Sequence, residues 1–130
     1  MSSIFTKIIN GEMPSFKIAE NENCFAFLDI NPNSKGHTLC VLKNEVDKIF
    51  DLSEYDYIEL MKFSRRVALA IKKVVPCKRI GISVIGLEVP HVHVHLIPLN
   101  KMSDAKFIKK VKFSNDQYEK LANEINKNFI

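Results

Sequence analysis

The chain has no run of apolar residues approaching the roughly 18 that a membrane-spanning helix needs, and Met1 to Gly11 lacks the basic start, unbroken apolar core and small-residue cleavage site of a secretory signal. A helical membrane protein is thereby excluded, and the cytosol is the expected compartment. Three cysteines, Cys24, Cys40 and Cys77, make an odd count without a CxxC pair. Neither a disulfide framework nor a cysteine-based zinc site is suggested, and all three read as small core residues. Repeats of 20–50 residues and low-complexity tracts are also missing, which sets solenoids and linkers aside. The net charge is only +4, with lysines gathered from Lys106 to Lys112. That mild excess suits anionic ligands but falls short of a nucleic-acid footprint, so neither nucleic acid nor membrane is an expected partner.

What is present fits one compact domain of 130 residues, 46% hydrophobic and 26% charged. Ile4, Phe5, Ile8 and Ile9 recur at helical offsets before Asn10-Gly11, and Pro14 forbids continuation, which predicts a short first helix. Segments at 16–19, 24–29 and 38–42 are rich in β-formers and separated by Asn, Pro, Ser and Gly clusters, so they read as successive short strands. Ser53 can cap a long helix with Glu54 and Asp56 in its first turn. Tyr57, Leu60, Met61, Ala68 and Ile71 carry its apolar periodicity to about Val75. Residues 80–85 read as a buried strand and 91–97 as another, antiparallel to it, with Pro90 and Pro98 bracketing the second. A last helix opens at Ser114-Asn115-Asp116-Gln117, a capping-box pattern, and buries Tyr118, Leu121, Ala122 and Ile125. The segment 101–113 carries no clear pattern.

His91, His93 and His95 alternate with Val92, Val94 and Leu96. On a strand, alternation sends the three imidazoles to one face and the aliphatic residues to the other. A solvent-facing polar row is the bland reading of that pattern. Metal binding is a second reading, since neutral imidazole suits zinc or copper. However, residues i and i+4 of a strand lie about 13 Å apart, too far for all three to share one ion, and Glu88 is the near acidic candidate. Phosphorus chemistry fits better: a neutral imidazole is nucleophilic when neighbours hold its proton and orientation. A middle histidine attacking an α-phosphorus forms a nucleotidyl-imidazole that water then cleaves, a double displacement that needs no metal or cofactor.

The run from His91 to Ile97 resembles the signature of the histidine-triad (HIT) superfamily, His-φ-His-φ-His-φ-φ with φ apolar. Ile4-Phe5 with Lys7-Ile8-Ile9, Glu12 and Pro14, then Cys24 to Pro32, and Gly36-His37 are similar to the Hint branch of nucleoside phosphoramidate hydrolases. The resemblance spans residues 4 to about 100, and a C-terminal helical extension follows at about 114–129. It implies an α+β fold, an antiparallel sheet of about five strands with a long helix and a C-terminal helix, and a homodimer in which long helices and sheet edges meet. The ligand it implies is a purine nucleotide, carrying an AMP or GMP moiety. By matched position, His93 would be the nucleophile, His95 would contact the phosphate, and His91 and His37 would support the imidazole network. Asp29 would take the ribose hydroxyls, and Ile4, Phe5, Ile8, Phe27 and Ile30 would form the base pocket. The turn holding Gly86, Glu88 and Val89 would meet the phosphate through its backbone amides.

Taken alone, the apolar residues of that set read as ordinary core in preference to a pocket, Asp29 equally as a turn residue ahead of Asn31-Pro32, and His37 likewise as a loop histidine. The chain departs from the family's pattern in three places. Glu88 stands where Gly-Gln-Ser-Val-x-His places serine, and an acidic group beside a phosphate costs binding. The loop before Gly86 is short and lacks the asparagine of Hint relatives, leaving Ser83 nearby. The cysteine pairs that bind zinc in some relatives are missing. The expected function is hydrolysis or transfer at the α-phosphate of a purine nucleoside phosphoramidate. The alternatives are a nucleotide-binding module with little turnover and a dinucleoside polyphosphate hydrolase.

Overall fold

The computed structural model describes residues 2–130, and within them one antiparallel sheet of five strands carries helices on both faces. The first helix, α1 (Ile4–Ile9), starts where the Ser3 hydroxyl accepts the Thr6 amide and ends at Asn10, after which Gly11 adopts a positive φ. Strands β1 (Lys17–Glu20), β2 (Cys24–Leu28) and β3 (Thr38–Leu42) follow, then a 3-10 turn (Ile49–Asp51) and the long α2 (Glu54–Val74), capped by Ser53. After β4 (Arg79–Ser83) and β5 (His93–Leu99) come a second 3-10 turn (Met102–Ala105) and α3 (Asn115–Asn128), opened by the Ser114–Gln117 capping box. The strand order is β1-β2-β3-β5-β4, which leaves β1 and β4 at the edges.

Both faces of the central strands are covered, which is why β2 and β3 are buried at every residue instead of alternating with polar ones. Cys24, Ala26, Leu28, Cys40, Leu42, Val94 and Leu96 face α2 and α3, packing with Leu60, Phe63, Val67, Ile71, Leu121 and Ile125 in the larger core. Phe25, Phe27, Leu39 and Val41 face the other way and pack with Phe5 of α1. The histidines share this second face.

The structure moves several sequence boundaries. The strand expected at 91–97 is β5 at 93–99, because the ladder with β3 begins at Val41↔His93. His91 precedes it in a turn closed by its own amide on Val89 O, and Val92 N–H bonds Val46 O. Pro98, expected to bracket the strand, lies inside it, paired with Ile80. The β3 ladder has ended at Thr38↔Leu96, and the Pro98 carbonyl faces that open side, accepting the Ser34 hydroxyl at 2.7 Å. No ladder bond is therefore lost to the missing N–H. The strand expected at 80–85 is β4 at 79–83 and is only half-buried, as an edge strand. Cys77, expected in the core, lies partly exposed in the turn after α2, whereas Cys24 and Cys40 are buried. Residues 101–113 form a strap over the loop before β3: Asn33 Nδ2 donates to Asp104 O, and Val111 N–H donates to Pro32 O. No described helix is long and apolar enough to cross a membrane.

Candidate active site

Four imidazoles are fixed by hydrogen bonds that determine which nitrogen carries the proton. His93 places Nδ1 2.8 Å from the carbonyl of His91. A carbonyl only accepts, so Nδ1 holds the hydrogen, and in the neutral ring the lone pair is on Nε2. His37 Nδ1 accepts the Asn33 amide at 2.9 Å, which assigns the ring hydrogen to Nε2, and this nitrogen lies 3.0 Å from His95 Nδ1. His95 must then accept at Nδ1 and carry its hydrogen on Nε2. His91 donates from Nε2 to Leu42 O at 2.6 Å and accepts the Ser3 hydroxyl at Nδ1, also at 2.6 Å. One nucleophilic nitrogen on His93 and one donor on His95 result, on rings whose centroids are 5.0 Å apart.

The environment keeps the supporting rings uncharged. Burial, with the charge of Lys110 adding to it, lowers His37 to about 3. His95 is lowered to about 4, by burial first and then by the neighbouring imidazoles. His91 is lowered as well, chiefly by burial, although the Leu42 carbonyl and Glu45 oppose the shift. Phe5 stands edge-on to His93 with centroids 4.9 Å apart, closing that side of the ring to water.

His93 and His95 open onto a cleft of about 570 Å³, a volume that suits a mononucleotide. Ile4, Phe5, Ile8, Phe27 and Ile30 line it, together with Asp29, Glu88 and Val89. The structure thus brings these expected site residues together around one space. Gly86 does not line it; the neighbouring Ile85 and Leu87 do. The positive φ of Gly86 makes the turn, and a Cβ there would meet nothing. His91 and His37 sit behind the wall, fully buried. Asp29 is a turn residue and a cleft residue at once: Oδ1 accepts the Asn31 amide at 2.8 Å, and Oδ2 lies 3.5 Å from His37 Nε2.

Ser3, Thr6 and Glu45 were not expected near the site. Glu45 Oε1 accepts the Ser3 amide at 2.8 Å and the Thr6 hydroxyl at 2.6 Å, while the Ser3 hydroxyl holds His91. The cap of α1 is thereby tied to the carbonyl that orients His93. A helix read as beginning at Ile4 names Ser3 as its cap; nothing local in the sequence marks Glu45.

Asp29, His37 and His95 also bring three ligand-type atoms within 4.8 Å of one another. This donor set does not fit a metal ion. The Asn33 amide occupies His37 Nδ1 and forces the proton onto Nε2, the nitrogen that would have to bind the ion.

An antiparallel sheet that presents a tautomer-fixed imidazole row to a nucleotide-sized cleft defines a protein of the histidine-triad class. A family model described as the HIT domain matches residues 10–102, and the chain belongs to that family. It is 34% identical to an uncharacterised HIT-like protein of Methanocaldococcus jannaschii, covering 94% of this chain and 97% of the relative. It is 37% identical to an adenosine 5'-monophosphoramidase of Schizosaccharomyces pombe, over 75% of this chain and 74% of that one. A crystal structure of a hypothetical histidine triad nucleotide-binding protein from Sulfolobus tokodaii superposes with a TM-score of 0.82 at 28% identity, covering 97% of this chain and 91% of that one.

Proposed function

We propose that the protein hydrolyses purine nucleoside phosphoramidates at the α-phosphorus through a nucleotidyl intermediate on His93. The observation that carries this reading is the His93 Nδ1–H bond to the His91 carbonyl, which in the neutral ring puts the nucleophilic lone pair on Nε2. In the first step Nε2 bonds to phosphorus as the P–N bond to the leaving amine breaks, and the amine nitrogen takes a proton from solvent as it departs. The ring becomes cationic, and the His91 carbonyl stabilises it by accepting the retained Nδ1–H. His95 Nε2–H is the donor for a phosphoryl oxygen. Water then attacks phosphorus as the P–Nε2 bond breaks; its oxygen ends on the nucleoside monophosphate, the electron pair returns to Nε2, and the proton released to solvent balances the one taken up by the amine. The apolar part of the cleft receives the base, and Asp29 Oδ2 accepts from the ribose hydroxyls. The similarity to a phosphoramidase supports the choice of leaving group.

Glu88, exposed on the cleft wall, favours a second reading, a nucleotide-binding module with little turnover. Incubation with adenosine phosphoramidate separates the two. AMP should be released, and His93→Ala should slow release at least about a thousandfold while still binding AMP; binding without release by the natural protein would establish the module. We further propose that two copies associate through α2 and the β4 edge.

A further inference from the structure

The side chains around the cleft include two carboxylates, Asp29 and Glu88, and one lysine, Lys110. The supporting histidines bring no charge, since burial keeps His37 and His95 neutral at pH 7. A nucleoside phosphate at His93 is an anion, and phosphoryl transfer gains most from cations held near the phosphoryl oxygens. Among the lining side chains, Lys110 is the only Lys or Arg.

Lys110 is also held in place. Its Nζ donates to Asn33 Oδ1 at 2.7 Å and lies 4.9 Å from the centre of the Phe107 ring. Phe107 in turn stands edge-on to His95, with centroids 5.0 Å apart, and to His37 at 6.0 Å. The strap carrying both residues is pinned by the Val111 amide on Pro32 O and by Asn33 on Asp104 O. Among the described residues, no carboxylate pairs with Lys110. Half-buried and restrained at two points, the ammonium has already lost much of the freedom that binding an anion would otherwise cost it.

We propose that Lys110, positioned by Asn33 and Phe107, is the counter-charge for the phosphate of a nucleoside 5'-monophosphate or phosphoramidate, and that it offsets the Glu88 carboxylate lining the same cleft. The inference rests on reading the cleft as a nucleotide site. It assigns a binding role to the strap after β5.

Calorimetric binding of AMP and of adenosine, which has the same base and ribose without the phosphate, tests it. Lys110→Gln should weaken AMP about fivefold, the upper end for one partly exposed charge contact, and leave adenosine within about twofold. Lys110→Arg should recover most of the loss. Raising the salt concentration should weaken AMP binding to the natural protein more than to Lys110→Gln. Equal weakening of both ligands, or unchanged AMP binding, overturns the assignment of Lys110 while leaving the nucleotide site standing. If the natural protein binds neither ligand, the nucleotide reading itself falls and takes this one with it.

Discussion

At the scale of single residues, the site is a set of proton assignments made by the backbone. The Asn33 amide decides His37, His37 decides His95, and the His91 carbonyl decides His93. The arrangement has a cost that pH exposes. His37 and His95 titrate at about 3 and about 4 in the folded protein, below the ordinary 6.5, with burial as the main cause in each. Between these values and 6.5 the unfolded chain binds protons that the folded chain refuses. Stability is therefore intact above about pH 6.5 and is lost as pH falls towards 4, at roughly 1.4 kcal/mol per pH unit for each histidine. Urea unfolding at pH 7, 6 and 5 measures this slope. His37→Gln, which cannot take up the proton, should flatten it by about a third to a half, since His91 is shifted in the same direction; an unchanged slope would mean that the acid sensitivity arises elsewhere.

At the scale of elements, legibility in the sequence followed how local the cause was. Ser53 and Ser114 mark their helices because a cap hydroxyl bonds an amide three residues on, and both bonds are present. Alternation put the three histidines on one strand, but His91 lies before β5, because its position is set by Val46 and Val89 and not by the strand period. The strap was illegible for the same reason. It has little helical structure and no alternation, and its shape comes from Pro32 and Asn33, more than seventy residues away. Apolar residues of α1 and β2 were legible as a base pocket only through family resemblance, since by pattern they are core. The turn into β3 offers a test of such tertiary causes. Gly36 has φ +92°, and a Cβ there would come within 3.0 Å of Val75 and 3.2 Å of Pro98. Gly86 has φ +73° with open space around it. Gly36→Ala should thus cost about 2–3 kcal/mol and Gly86→Ala about 1 kcal/mol, read as shifts in urea midpoint. Equal losses would show that the crowding at Gly36 relaxes freely.

At the scale of the whole molecule, one flank is apolar and only partly covered. Leu60, Ser64, Val67 and Ile71 of α2 are buried on the sheet. On one side of that stripe, Glu59 is engaged by Asn23, and Arg66 lies 4.5 Å over the Phe129 ring. Tyr57, Met61 and Ala68 lie on the other side, towards β4. Ile82 of β4 pairs with Leu96 and so projects to the same face as α2, yet it is 55% exposed. An open strand edge beside an apolar helix flank invites association, and a second copy of the chain supplies a matching surface through a two-fold axis. Light scattering should then give twice the 14.9 kDa of one chain. Ile82→Lys with Met61→Lys should give the single-chain mass with circular dichroism unchanged, because neither side chain belongs to the fully buried core. The cleft faces away from this flank, on the side of the sheet that α1 covers, so AMP binding should survive in the monomer. A natural protein that stays at 14.9 kDa across the micromolar range would rule out the dimer, and a dissociated variant that loses AMP binding would mean that the partner chain completes the cleft.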